Sequence, residues 1–168
     1  MKTKKLVYSA LFASLIVIMA LVSIPTQPIP LNMALFAVLL AGGILGKKYG
    51  TLSVVVYILL GVAGIPVFAG FRGGLSALIG PTGGFIAGYI IVAFITGIVY
   101  EKTIKIKYTL PAMILSVILC YVMGTIWYCF VMNSSFLTAI SVCVLPFIAG
   151  DVLKIMLAVL FFNRFITK

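Results

Sequence analysis

Two charged side chains interrupt an apolar segment near the carboxyl end of the chain. Asp151 and Lys154 lie within residues 141–165, which are predicted to form a transmembrane helix. A charge at the centre of a bilayer costs about 2.5–3.5 kcal/mol, so such residues usually face the bundle interior and mark a substrate path. Their i, i+3 spacing places both on one helical face, where they partly neutralise each other. We favour a ligand-binding role; the alternative is a structural ion pair that fixes helix packing.

A glycine-rich segment, residues 61–89, contains a third charge, Arg72, in an otherwise uncharged stretch. Glycine favours turns and allows close approach of another backbone or a ligand, whereas Pro66 and Pro81 do not fit inside a regular element. Residues 64–83 are therefore predicted to form a long, partly buried loop between two transmembrane helices. Irregular backbone at membrane depth occurs only where protein covers it or a polar cavity is lined. This loop is a candidate binding site, and the alternative is a packed helical hairpin without a ligand.

The composition indicates a membrane protein throughout. Of the 168 residues, 64% are hydrophobic and 8% are charged, whereas soluble domains average about 25% charged residues. The net charge of +10 does not indicate nucleic-acid binding, because the Lys and Arg residues lie mainly at predicted helix ends rather than on one exposed face. With no His and only two acidic residues, the chain has little material for a metal site or paired-carboxylate catalysis. We predict neither an enzyme nor a bound cofactor.

The apolar runs predict an all-α polytopic membrane protein, a single integral membrane domain over residues 1–168. It has six transmembrane helices and a long outer loop between the third and the fourth. A crossing helix needs about 20 apolar residues, so the short second span is expected to tilt or to borrow residues from its flanks. The six predicted spans are residues 6–24, 32–45, 51–60, 85–100, 108–132 and 141–165.

The basic residues predict the orientation. They fall on one side of six alternating spans, and Arg72 is the only basic residue on the other side. Cytoplasmic loops carry the excess of Lys and Arg. Both termini are therefore expected on the cytoplasmic side of a prokaryotic cell membrane, and the glycine-rich loop is expected on the outer side. The inner set is Lys2, Lys4, Lys5, Lys47, Lys48, Lys102, Lys105, Lys107, Arg164 and Lys168.

On this topology the three ligand-binding candidates share the outer half of the membrane. Arg72, Asp151 and Lys154, with free N–H groups of the loop, can hold a small polar or anionic ligand. A channel needs polar residues along its whole length, and the predicted spans lack them. The sequence therefore indicates a capped outer pocket rather than a pore.

The first span carries two overlapping pairs of small residues. Ser9 pairs with Ala13, and Ala10 pairs with Ser14, each at i, i+4 spacing. Small residues let helices approach closely in lipid, so this face can dock a partner. Taken alone, the pattern favours ordinary packing within the bundle.

Several motifs together resemble the BioY family, the biotin-binding substrate subunits (S components) of energy-coupling-factor vitamin transporters. They occur in the family's order and cover the chain from the second span to the sixth. Asn32 and Ala34 stand where family members often carry Thr-x-Gln or a similar polar pair, and Asn32 is expected to compensate. The matching blocks are Leu39-Leu40-Ala41-Gly42, Gly61-x-x-Gly64-x-Pro66-Val67-Phe68, Gly70-Phe71-Arg72-Gly73-Gly74, Gly80-Pro81-Thr82-Gly83-Gly84-Phe85, Tyr121-x-x-Gly124-x-x-Trp127 and Pro146-Phe147-x-x-Gly150-Asp151-x-x-Lys154.

The resemblance implies a six-helix bundle that captures biotin from outside and releases it inside by toppling in the membrane. Its implied partners are a transmembrane coupling subunit and two cytoplasmic ATPases. The chain has no G-x-x-x-x-G-K-[ST] phosphate-binding loop, so ATP is used only by those partners. Because the first helix of related subunits meets the coupling subunit, the resemblance strengthens the docking interpretation for Ser9, Ala10, Ala13 and Ser14.

With biotin as the ligand, the charged candidates acquire roles. Asp151 is expected to accept hydrogen bonds from the ureido N–H groups, because an ionised carboxylate is a strong acceptor. Lys154 is expected to orient Asp151 or to bind a polar end of the ligand. Arg72 is expected to hold or gate the biotin carboxylate.

Uncharged residues complete the predicted site. Backbone groups around Gly73, Gly74 and Gly83 are expected to close over the ligand. Tyr121 and Trp127 are expected to form walls beside the biotin ring.

Four other interpretations are compatible with the residues. The chain can be an S component for a different vitamin or small carboxylate, or a facilitator that needs no ATPase partner. An intramembrane enzyme is disfavoured by the scarcity of acids and the absence of His. A structural scaffold predicts no saturable binding of a small molecule.

Overall fold

A computed structural model describes residues 2–24, 26 and 28–165, which are mostly helical. Met1 and Lys168, which belong to the predicted cytoplasmic termini, lie outside these residues. Two short antiparallel strands, β1 and β2, pair Ser23 with Asn32. The elements are α1 (Lys2–Leu21), β1 (Ser23–Ile24), β2 (Leu31–Asn32), α2 (Ala34–Val62), α3 (Leu75–Ile79), α4 (Gly83–Lys102), α5 (Ile106–Met132), α6 (Phe136–Cys143) and α7 (Leu145–Phe165).

Five helices among the described residues are long and apolar enough to cross a membrane. This confirms the prediction of an all-α membrane protein. The crossing segments are Thr3–Leu21, Ala34–Val62, Gly83–Lys102, Ile106–Met132 and Leu145–Arg164.

The predicted second and third spans form the two arms of α2. Gly46 breaks this helix with φ 76° and ψ 176°, a conformation that is essentially restricted to glycine. A Cβ atom added to Gly50 would lie 2.6 Å from the carbonyl oxygen of Ala41. In one continuous helix these two residues would be about 14 Å apart along the axis. The chain therefore reverses at Gly46, and residues 34–45 lie beside residues 47–62.

An acidic residue of α4 fixes this reversal. Glu101 accepts a hydrogen bond of 3.1 Å from the Lys47 backbone N–H, and its other oxygen lies 3.7 Å from the Lys47 ammonium. Because both Lys47 and Glu101 are partly exposed, the ion pair itself contributes little stability. The contact mainly places the end of α4 against the turn of α2.

The predicted sixth span is divided into α6 and α7, and the break falls at Val144. Pro146 lacks the N–H that a continuous helix would bond to the Val142 carbonyl, although proline is tolerated in the first turn of a new helix. The break therefore coincides with Pro146. Gly150 lies within α7 and leaves it continuous.

Between α2 and α4 the backbone is irregular except for α3. The Gly61 carbonyl accepts hydrogen bonds from the N–H groups of Gly64 and Gly74, at 3.0 and 2.7 Å. Phe68 and Arg72 exchange two backbone hydrogen bonds, at 2.9 and 3.3 Å. These bonds hold the irregular segment against the end of α2 and fix the position of Arg72.

Candidate functional site

Asp151 and Lys154 lie two turns into α7 and point into the protein. Their exposed fractions are only 5% and 6%. The Lys154 ammonium donates a hydrogen bond of 2.6 Å to Oδ1 of Asp151. Tyr121, on α5, donates its hydroxyl to Oδ2 of the same carboxylate. A carboxylate offers about four acceptor positions, so each oxygen retains capacity for a ligand.

This cluster forms one side of a cavity of about 60 Å³. Asn32 and Arg72 also line it, so β2, the irregular segment, α5 and α7 all contribute polar groups. The volume exceeds the 10–15 Å³ that one water needs. Five of the predicted ligand-binding residues are thus brought together: Asp151, Lys154, Tyr121, Asn32 and Arg72.

The charges of the cavity do not cancel. The chain has two acidic residues; Asp151 pairs with Lys154, and Glu101 pairs with Lys47. Among the described residues, Arg72 therefore has no acidic partner. The cavity carries two positive charges, from Arg72 and Lys154, against one negative charge from Asp151, and this balance of +1 favours an anionic ligand.

Asn32 is fixed by its position at the end of β2. Its side-chain oxygen accepts a hydrogen bond of 3.0 Å from the Ala34 N–H, at the start of α2. Asn32 lines the cavity, and its N–H₂ group can serve there as a hydrogen-bond donor.

Three predicted glycines and the tryptophan do not line the cavity but shape the segment beside it. A Cβ atom on Gly73 would lie 2.5 Å from the Ile65 carbonyl oxygen, and Gly83 packs against the Leu78 carbonyl. Gly74, with φ +84°, precedes α3. Trp127 donates its indole N–H to the Gly80 carbonyl at 2.9 Å. Direct ligand contacts by Gly73, Gly74, Gly83 and Trp127 stay predictions.

Five further aromatic residues that line the cavity were not predicted from the sequence. Tyr57 and Phe68 meet edge to face, with ring centroids 5.4 Å apart. A signal was available, because a tyrosine inside a predicted span must find a partner for its hydroxyl. The aromatic residues that line the cavity, besides Tyr121, are Tyr57, Phe68, Phe85, Tyr89 and Phe147.

The four predicted docking residues divide between two faces of α1. Ser9 and Ala13 are buried, and Ser9 donates its hydroxyl to the Tyr49 carbonyl at 3.0 Å. Ala10 and Ser14 are exposed. The first pair therefore packs against α2 within the chain, and the second pair is free to meet another protein or lipid.

Comparison with known proteins gives one consistent family. The BioY family profile matches residues 1–167. The biotin transporter BioY of Thermotoga maritima is 40% identical over 160 residues, covering 94% of this chain and 92% of that protein. The probable biotin transporter BioY of Pyrococcus horikoshii is 42% identical over 166 residues, covering 98% and 97%.

A solved structure is similar along the same length. The S-component for biotin from an ECF-type ABC transporter is 33% identical, with a TM-score of 0.90, and the match covers 99% of this chain and 93% of that one. The family resemblance drawn from the sequence motifs is confirmed.

Proposed function

Because the chain belongs to the BioY family, we propose that it captures biotin as the substrate-binding subunit of an energy-coupling-factor transporter. The protein is a membrane transporter component and not an enzyme. One observation carries the proposal: the Tyr121–Asp151–Lys154 cluster, whose two charged members are buried, lies in the same cavity as Arg72, which has no acidic partner among the described residues.

The two polar ends of biotin match this arrangement. The ureido N–H groups donate to the free acceptor positions of Asp151, while the side chain of Asn32 donates to the ureido carbonyl. The biotin carboxylate meets Arg72, whose planar guanidinium suits a carboxylate. Hydrogen bonds to charged groups contribute about 1.5–3 kcal/mol, so the cluster supplies much of the affinity.

In the membrane, the two arms of α2 act as separate crossings, so the protein crosses six times. Lys5 and Lys48 lie over the same Tyr49 ring, at 5.4 and 5.9 Å, which supports one basic side shared by the start of α1 and the turn of α2. The positive-inside rule makes this side cytoplasmic. Both termini then face the cytoplasm of a prokaryotic cell, and the cavity opens outward beneath the irregular segment.

Energy for uptake comes from partners. The transmembrane coupling subunit docks on the exposed Ala10–Ser14 side of α1, and two cytoplasmic ATPases hydrolyse ATP. No cofactor is needed in this chain, because its task is to bind and to release one vitamin.

A biotin titration with matched acidic variants tests the proposal. Asp151→Asn is expected to raise the Kd for biotin about 10- to 100-fold, measured by calorimetry on folded protein. Glu101→Gln removes the other acid, which lies away from the cavity, and should leave the Kd unchanged. Absent biotin binding by the unaltered protein, or near-normal binding by Asp151→Asn, would overturn the proposal.

Uptake assays separate a coupled subunit from a stand-alone facilitator. Cells that make this chain together with a coupling subunit and its ATPases should accumulate biotin faster than cells that make the chain alone. Equal uptake with and without the partners would refute the coupled mechanism.

A further inference from the structure

A second cavity, of about 480 Å³, forms a groove between α5, α6 and α7. Val117, Tyr121 and Asp151 line both this groove and the polar cavity, so these residues form a common wall. The remainder of the lining is almost entirely aliphatic. It includes Ile114, Ile118 and Val122 of α5 and Ile148, Val152 and Ile155 of α7.

The groove is continuous with the outward surface of the membrane-crossing helices. Val122 and Val152, on opposite sides of it, are each 50% exposed. Both belong to helices that are long and apolar enough to cross a bilayer. Its mouth therefore opens into hydrocarbon, and its aliphatic lining offers water almost no hydrogen-bonding partner.

The dimensions of the groove fit one leaflet. From Ile114 to Thr125, both in its lining, α5 rises about 17 Å, and half of a hydrocarbon core of about 30 Å is about 15 Å. The volume of about 480 Å³ and the aliphatic lining suit an extended hydrocarbon chain that lies along α5.

We infer that the groove holds an acyl chain of a bilayer phospholipid. The chain fills the space between α5 and α7 and supports Tyr121 and Asp151 from the side opposite the polar cavity. The supporting role rests on the proposed function, because it makes biotin affinity depend on occupancy of the groove. Occupancy itself does not depend on that function.

Photolabelling tests occupancy directly. The full chain is placed in phosphatidylcholine nanodiscs that contain phosphatidylglycerol with a diazirine in the acyl chain. Labelled residues are then mapped by mass spectrometry. Adducts should be enriched several-fold at Ile118, Val122 and Val152 relative to Leu115, which is exposed on α5 outside the groove. Equal labelling would overturn the inference.

A variant whose groove is filled by side chains tests occupancy a second time, with Leu115→Phe as its matched control. Val122→Phe with Val152→Phe occupies the space from both walls at half-exposed positions, so it should fold. Leu115→Phe adds the same ring to α5 elsewhere. Native mass spectrometry after graded delipidation should find one retained phospholipid on the unaltered protein and on Leu115→Phe, but none on the filled variant. Retention that is equal in all three proteins contradicts the inference.

Two further measurements separate the possible outcomes. The filled variant should change the biotin Kd at least about fivefold, a typical coupling between sites, and an unchanged Kd would refute the supporting role. If the diazirine lipid does not label the groove of the isolated chain, but a bound coupling subunit cross-links to it, the occupant is protein and the lipid assignment is wrong. Specific labelling without any biotin binding would instead overturn the proposed function alone.

Discussion

The hydroxyl of Tyr121 on α5 donates to the carboxylate of Asp151 on α7, on the oxygen that Lys154 does not occupy. The bond joins two helices across the common wall of the polar cavity and the apolar groove. It also fixes the direction of the carboxylate, because both of its oxygens are held before a ligand arrives. Such preorganisation reduces the entropy lost on binding.

Tyr121→Phe should therefore weaken biotin binding about five- to tenfold. The ring keeps its place in the wall, but Asp151 loses one of its two hydrogen bonds, which contribute about 1.5–3 kcal/mol each to charged groups. Calorimetric titration of the purified variant checks this value. Tyr128→Phe, on the same helix outside the cavity lining, serves as the control, and an equal effect of both variants would contradict the assignment.

Arg72→Gln should raise the Kd for biotin about fivefold, because the guanidinium is exposed and its interaction with a carboxylate is partly screened. Biotinamide, which lacks the carboxylate, should bind the variant and the unaltered protein equally well. The difference for biotin should also shrink at high salt. If biotinamide loses as much affinity as biotin, Arg72 acts through the shape of the irregular segment instead.

Gly46→Ala should lower the apparent melting temperature in detergent. The backbone at Gly46 has φ 76° and ψ 176°, and a side chain there costs about 1–3 kcal/mol. Gly150→Ala is the matched control, because an added Cβ at Gly150 meets no atom within 4 Å and alanine favours the helix. Equal melting temperatures for the two variants would show that the reversal of α2 tolerates a side chain.

Leucine substitutions should separate the two faces of α1. Ala13 is 1% exposed, so Ala13→Leu overpacks the contact with α2 and should cost about 1–3 kcal/mol of stability. Ala10→Leu should leave the melting temperature unchanged and reduce copurification with a coupling subunit. Normal copurification of Ala10→Leu would place the docking surface elsewhere.

The sequence predicts best those features that depend on local composition. Asp151 and Lys154 stand out because a charge in an apolar span is costly. The reversal near Gly46 is indicated by the basic residues Lys47 and Lys48 between the predicted spans 32–45 and 51–60. The hydrogen bond between Tyr121 and Asp151 cannot be predicted from the sequence, because thirty residues separate them along the chain. Tyr57 and Phe68 resemble ordinary core residues, since hydrophobicity does not distinguish a cavity wall from a packed interior.

The position of Trp127 illustrates the same limit. Its type and motif predict a wall beside the ligand, which stays a prediction, and the structure adds that its indole N–H donates to the Gly80 carbonyl. Only the three-dimensional arrangement reveals this bond, because the acceptor is a backbone group 47 residues away.

The Trp127–Gly80 bond also gives the protein an intrinsic optical reporter. Trp127 is the only tryptophan in the chain, and its indole emission responds to whether the N–H is bonded to a carbonyl or released. A displacement of Gly80 relative to α5 stretches or breaks this bond. Fluorescence of the unlabelled protein can therefore time that displacement, without an introduced dye that would disturb the surface it reports on.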